Sequence, residues 1–188
     1  WVQRPEPITR TSLSAPYTEV EVAAIRRDVS RQSTPLRAQA GRAIVALGLG
    51  AGLDGRWNVH ITGTDVAEND GLVTITVGDP VERLVVVRDE FADELLDLAA
   101  QAGSGRLVAG STSKNAAAKA AGRVVIDQGH ISLSAKRLRS SWLLAHLANR
   151  TPLTALLQAA GLRSFASLSD LVPFLHNAVD PAEFLRGA

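Results

Sequence analysis

Two neighbouring segments in the middle of the chain have the pattern of a β-hairpin. Residues 71–78 read GLVTITVG and residues 82–88 read ERLVVVR, and both are rich in β-branched side chains. The residues between them, GDPV, are typical of a tight turn. The pattern predicts two antiparallel strands, and a further short strand is expected near the end of residues 56–66.

Helical patterns lie on both sides of this hairpin. Thr18 and Glu21 have the spacing of a capping box and begin a predicted helix over 18–32. The other predicted helical segments are 36–52, 89–102, the alanine-rich part of 103–125, 136–150, 152–161 (with Thr151 as its cap and Pro152 in its first turn) and 164–175. This order predicts an α+β fold that is mostly helical with a small antiparallel sheet. Residues 1–16 are predicted to form an extended arm or linker, and 17–188 a single domain.

The composition excludes several kinds of site. The 188 residues contain no cysteine, which excludes disulfides and thiolate zinc sites. The four histidines have no close spacing with carboxylates, so no metal site is expected, and no cofactor is expected either. The chain has no apolar run of about 20 residues and no signal-peptide pattern near residue 1, so we expect a cytoplasmic protein without a membrane span.

Charge is distributed unevenly, although the formal net charge is only +1. Residues 65–97 hold ten acidic residues and two arginines, whereas residues 98–169 hold nine basic residues and one acidic residue, Asp127. A basic stretch of this kind indicates an anion-binding surface, such as one for nucleic acid. Solvated charges on helix surfaces would give the same pattern, and charge alone leaves both interpretations open.

Four segments carry a resemblance to a known family. They are PYTEVEVAAI, ALGLGAGLDGRWNVHITGTDV, the hairpin, and the region from LSAKRLRSSW to LVPFL. In this order they resemble the catalytic domain of the tyrosine recombinases, the phage-type integrases, over about residues 17–175. The resemblance implies double-stranded DNA as a partner, together with the chain itself or a recombination partner. It also implies a tyrosine nucleophile, two phosphate-binding arginines, a lysine on the hairpin turn, and histidines that complete the site.

The resemblance also shows where this chain departs from the family pattern. The first arginine is replaced by Asp54, and Arg56 lies two residues outside the required register. The box that usually reads H-x-L-R is KRLR here, so Lys136 replaces the histidine while Arg139 is kept. The remaining degenerate positions are Asp79 for the hairpin lysine, Leu162 for the second histidine, and Leu171 to Phe174 for the tyrosine. The chain has one tyrosine, Tyr17, at the opposite end. We therefore expect a degenerate member of the family that is not an enzyme.

The basic residues of the C-terminal half are the candidate DNA contacts. We predict phosphate binding by Lys136, Arg137, Arg139, Lys114, Lys119 and Arg123. Each has an alternative role: Arg139 could bind helix-terminal carbonyls, and the others could be solvated. Trp142 is predicted to pack in the core with Leu138 and Leu143. Substituting Arg139 and Lys136 by alanine is expected to weaken DNA binding without unfolding the domain.

These observations predict a catalytically inactive DNA-binding protein that serves as a regulator or accessory factor of DNA recombination. The alternative is a protein-interaction or structural module on the same fold without DNA binding. An active recombinase, the third hypothesis, requires a covalent DNA adduct, and we expect none.

Overall fold

Helices surround a small antiparallel sheet in the computed structural model, which describes residues 13–78, 82–108, 115–127 and 129–175. The α+β class predicted from the sequence is confirmed. The helices are α1 (Glu19–Val29), α2 (Pro35–Val45, continued by a π-helical turn over Ala46–Gly50), α3 (Gly55–Asn58), α4 (Ala92–Ala102), α5 (Ala116–Gly122), α6 (Ala135–Ala148) and α7 (Leu153–Ala160). Short 3-10 helices cover Gly63–Asp65, Asp89–Phe91 and Phe165–Phe174.

The sheet contains β1 (Val66–Asn69), β2 (Leu72–Val77) and β3 (Arg83–Val86) in the order β1-β2-β3. Strands β2 and β3 are antiparallel, which confirms the hairpin. Strand β1 starts at the last residue of 56–66, so most of it lies beyond the segment in which the sequence predicts a strand. Its position is set by pairing with β2 across a turn at Asp70 and Gly71, both of which have positive φ, rather than by its own weak β pattern.

Helix termini show how local chemistry fixes the elements. The predicted capping box is confirmed: Glu21 N donates to Thr18 Oγ1 at 3.2 Å, and Thr18 N donates to Glu21 Oε2 at 2.8 Å. The cap predicted at Thr151 is wrong, because α7 begins one residue later, after Pro152, without a side-chain cap. The Thr151 hydroxyl instead lies 2.9 Å from His146 Nδ1.

Helix α6 contributes side chains to the two larger clusters of the hydrophobic core. Leu138 belongs to the main core cluster, which also contains residues of α1, α2, α4 and the inner face of the sheet. Trp142 and Leu143 belong to a second cluster with residues of α7 and the 3-10 helix Phe165–Phe174. The buried position predicted for Trp142 is confirmed. Gly52 has a φ of +64°, and a Cβ there would overlap the Trp142 ring, so glycine is required at this position.

The part of the segment before α1 that lies within the described residues is packed onto the domain. Leu13 N donates to Asp170 Oδ2 at 3.0 Å, and Tyr17 N donates to Ser141 Oγ at 2.8 Å. The Tyr17 hydroxyl donates to Ser132 O at 2.5 Å and accepts from Ser134 N at 2.8 Å. Residues 13–16 therefore pack with the domain rather than forming a free linker; residues 1–12 of the predicted arm lie outside the described residues.

Candidate nucleic-acid interface

A cleft of about 730 Å³ lies between α3, α5 and the start of α6. Small apolar side chains supply most of its wall, among them Val59, Ala117, Ala121 and Leu133. Its polar and charged lining residues are Asp54, Arg56, His60, Asn115, Ser134 and Lys136. The structure thus brings Lys136 and Asp54, which are 82 positions apart in sequence, to one concave surface.

Lys136 lies in the first turn of α6, next to the N-cap residue Ser134, and its side chain is exposed. A cation at a helix N-terminus opposes the helix dipole, so this lysine does not serve the stability of α6. Arg56 is also exposed, and its guanidinium lies 5.0 Å from the centre of the Trp57 ring. Stacking on the indole orients Arg56 while leaving its N–H groups available to an anion.

Asp54 has a local structural role. It is the N-cap of α3, and its Oδ1 accepts a hydrogen bond from Arg56 N at 3.1 Å. An aspartate is among the best N-cap residues, which explains its position in this turn. Its carboxylate nevertheless lines the cleft, where a phosphate would meet a negative charge.

Arg139 is buried, with 7% of its surface exposed, and it does not line the cleft. Its Nη1 donates to Gly52 O, and its Nη2 donates to Ala160 O at 2.6 Å. Burial lowers the pKa of the Arg139 guanidinium, and the charge of Asp54 partly opposes this effect. These contacts favour the structural alternative for Arg139, since Ala160 ends α7 and its carbonyl has no partner within the helix.

Arg83 is a second buried arginine, which sequence reasoning missed. It is 8% exposed; its Nε donates to Ala159 O at 3.0 Å, and its guanidinium lies 4.8 Å from the centre of the Trp57 ring. Burial and then repulsion from Arg139 lower its pKa, whereas Asp54 raises it. A signal existed in the sequence: the two-residue period of the strand places Arg83 on the same inward face as the buried Val85 and Val87.

Arg137 is occupied by internal contacts. Its Nη2 lies 3.0 Å from Glu21 Oε1, its Nε donates to Ala15 O at 3.1 Å, and its guanidinium stacks 3.8 Å from the centre of the Tyr17 ring. These contacts fasten the segment before α1 onto α6. We therefore infer a structural role for Arg137 and not a phosphate contact.

The remaining predicted residues are dispersed. Lys119 in α5 and Arg123 just after it are both exposed. Leu162 is half-buried in the second core cluster, and Phe174 is an exposed residue at the end of the last 3-10 helix. Lys114 and Asp79 lie outside the described residues.

Residues 13–78, 82–108, 115–127 and 129–175 lack two kinds of feature. No group of three or more histidine, aspartate or glutamate side chains is placed to hold a metal ion. None of the helices there has both the length and the apolar character needed to cross a bilayer.

Solved structures with a similar arrangement of helices and strands include site-specific recombinases and integrases. The chain is similar to the XerH site-specific recombinase in its post-cleavage complex with palindromic difH substrate, with a TM-score of 0.69 and 15% identity over 94% of this chain and 54% of that chain. It is similar to the XerA recombinase, with a TM-score of 0.61 and 18% identity over 96% of this chain and 66% of that one. It is also similar to the catalytic domain of bacteriophage HP1 integrase, with a TM-score of 0.59 and 18% identity over 90% of this chain and 94% of that domain.

These similarities establish the fold. The chain has the tyrosine recombinase catalytic-domain fold that its sequence motifs predict. It spans about half the length of the XerH chain, 54%, and nearly all of the HP1 catalytic domain, 94%. No protein-family model and no curated protein sequence matches the chain.

Proposed function

We propose that this chain is a catalytically inactive DNA-binding domain, and that the cleft at the start of α6 contacts backbone phosphates. The observation that carries the proposal is that Lys136 and Arg56 are both exposed on this cleft, and neither forms an ion pair with a carboxylate in the described part of the chain. Lys119 and Arg123 on and beside α5 supply further positive charge. Such contacts position a duplex without reading its sequence. The similar XerH structure holds difH substrate, which supports DNA as the class of ligand.

The burial and hydrogen bonding of the single tyrosine support the proposed lack of strand cleavage. Tyr17 is buried, its hydroxyl is bonded to two backbone groups, and burial raises its pKa. A nucleophilic hydroxyl must be free to reach the substrate and to lose its proton. Asp54 at the first-arginine position and the carbonyl contacts of Arg139 remove two further elements of a phosphate-activating site.

Fluorescence anisotropy with a labelled duplex at several salt concentrations tests DNA binding. We expect binding at low salt that weakens steeply as salt rises. Lys136→Ala and Arg56→Ala should each weaken binding and reduce the salt slope by about 1, as the loss of one phosphate contact requires. Arg37→Ala is the matched control, because Arg37 is exposed on α2, outside the cleft. Absence of binding at low salt contradicts the proposal.

A duplex that carries a nick close to the bond to be cleaved tests for catalysis, because such a substrate traps a covalent intermediate if one forms. We expect no covalent protein–DNA adduct on a denaturing gel. An adduct that disappears in Tyr17→Phe would overturn the proposal and assign the nucleophile.

The outer face of the sheet supports the alternative of a protein-interaction module. Leu72, Leu84 and Val86 are exposed there, Leu84 by 61%, although they lie on paired strands. Light scattering on the purified chain distinguishes the alternatives. Self-association without DNA binding favours the module, whereas a monomer that binds duplex favours the DNA-binding domain.

A further inference from the structure

Two buried guanidiniums contact residues that flank Asp54 in the sequence. Arg139 binds the carbonyl of Gly52, two residues before Asp54, and Arg83 stacks on the ring of Trp57, three residues after it. The α3 turn that holds the Asp54 carboxylate therefore lies between the contacts of both arginines. Asp54 also lines the cleft, whereas neither arginine does.

The arginine pair has little internal compensation for its charge. Within the described residues, no carboxylate lies in ion-pair distance of Arg83 or Arg139, and the acceptors Gly52 O, Ala159 O and Ala160 O are neutral carbonyls. The Nη2 of Arg83 is buried and has no acceptor among these residues. Burial lowers the pKa of both guanidiniums, and the charge of Asp54 acts in the opposite direction on each. The positive field of a buried cation that has no counter-ion extends to the nearest open surface. This field is screened less in a protein interior than in water.

We infer that Asp54 sets the affinity of the cleft for a phosphate-bearing ligand by neutralising, at the cleft wall, the positive field of Arg83 and Arg139. This inference rests on the proposed DNA-binding function and names the residue that limits it. Among the described residues, Asp54 is the only acidic one that lines the cleft, and the exposed cations Arg56 and Lys136 line it too. Its removal should leave the lining of the cleft without a negative charge.

The cap that Asp54 provides can be kept while its charge is removed. Asparagine is about as good an N-cap as aspartate, and serine is comparable. Asp54→Asn should therefore preserve the hydrogen bond to Arg56 N and the start of α3. Asp54→Ser is a second uncharged cap, and similar circular dichroism spectra and thermal midpoints would show that both variants are folded.

The test compares the Kd of wild type and Asp54→Asn for the same labelled duplex at low salt. A half-exposed charge within several ångströms of a phosphate predicts a Kd about fivefold lower in Asp54→Asn. Asp97→Asn is the control, because Asp97 is exposed on α4, outside the cleft, and its substitution changes the net charge equally. Combining Asp54→Asn with Lys136→Ala should remove most of the gain if the gain arises at the cleft.

The outcomes separate this inference from the proposed function. If wild type binds the duplex and Asp54→Asn binds no more tightly than Asp97→Asn, the inference is overturned while DNA binding stands. If only the two Asp54 variants bind, the inference stands, and DNA binding by the wild-type chain is rejected. If no variant binds at low salt, both are rejected.

Discussion

The substitution Arg139→Met tests whether this arginine is a structural clamp rather than a phosphate ligand. Methionine fills a similar elongated volume but has no donor. In the structure, the guanidinium joins Gly52 O in the turn before α3 to Ala160 O at the end of α7. The substitution therefore leaves two carbonyls without their donors and breaks the direct side-chain link that Arg139 makes between these two elements.

The magnitude follows from these two acceptors. Each buried carbonyl that loses its partner costs about 1–3 kcal/mol, so the loss is about 2–6 kcal/mol. Removing a buried cation that is repelled by Arg83 returns part of this cost. We expect the free energy of unfolding to fall by about 2–4 kcal/mol, which moves the urea midpoint down by about 1–2 M at a slope near 2 kcal/mol per molar.

Equilibrium urea unfolding, followed by circular dichroism, measures this change. Lys136→Met is the control from the same helix, since Lys136 is exposed and should change stability by less than about 0.5 kcal/mol. Arg139→Lys should fall between wild type and Arg139→Met, because one ammonium cannot reproduce the planar fork that spans two carbonyls. If Arg139→Met is as stable as Lys136→Met, the structural role is refuted. Substituting Arg139 and Lys136 together by alanine is therefore expected to lower stability as well, and of these two residues Lys136 is the one suited to a DNA-binding test.

Three further perturbations check other parts of the structure. Gly52→Ala places a Cβ into the ring of Trp142 at a positive φ, so we expect a loss above about 3 kcal/mol and an altered tryptophan emission spectrum. Tyr17→Phe removes a hydroxyl bonded to two backbone groups of the loop before α6, and urea unfolding should show a loss of about 1–3 kcal/mol. Burial, and then the charge of Arg88, lower the pKa of His146, so the unfolded chain takes up this proton first as pH falls below about 6.5. The free energy of unfolding should therefore decrease as the pH falls below about 6.5, and His146→Gln should flatten this slope.

Each of these three predictions would be contradicted by a specific result. An unchanged emission spectrum and midpoint in Gly52→Ala would mean that the turn or the indole moves without cost. A Tyr17→Phe midpoint equal to wild type would mean that water replaces the hydroxyl. The same pH slope in wild type and His146→Gln would assign it to other groups.

The sequence predicts the fold because its local signals agree with one another. The alternation in 71–78 and 82–88 and the capping box at Thr18 are properties of adjacent residues, and the structure contains both. Strand β1 is misplaced by the prediction because its position depends on pairing with β2. Helix α7 begins later than predicted because the Thr151 hydroxyl is used by His146. The predicted boundaries of helices and strands are wrong where a tertiary contact outweighs a local preference.

The site is less predictable than the fold because its side chains are distributed by tertiary packing. The sequence locates Lys136 and Asp54 through the motifs around them, and both line the cleft. It cannot give the direction of Arg139, whose acceptors lie 87 and 21 residues away. Arg137 illustrates the same limit, since an arginine at a helix start contacts Glu21 and the preceding segment only after folding.

The use of two arginines as structural clamps limits the phosphate contacts that the proposed DNA binding can use. Arg139 and Arg83 donate to the last carbonyls of α7, so the contacts that we propose fall to the exposed Lys136, Arg56, Lys119 and Arg123. Counterion release gives a slope of log K against log salt of about −0.9 per neutralised phosphate, hence about −2 for the two cleft cations and about −4 for all four. Measuring the slope by anisotropy over several salt concentrations therefore counts the contacts, and Lys119→Ala and Arg123→Ala show which of the two values applies. A slope near zero would mean that binding does not involve phosphates, and it would remove the cleft from the account.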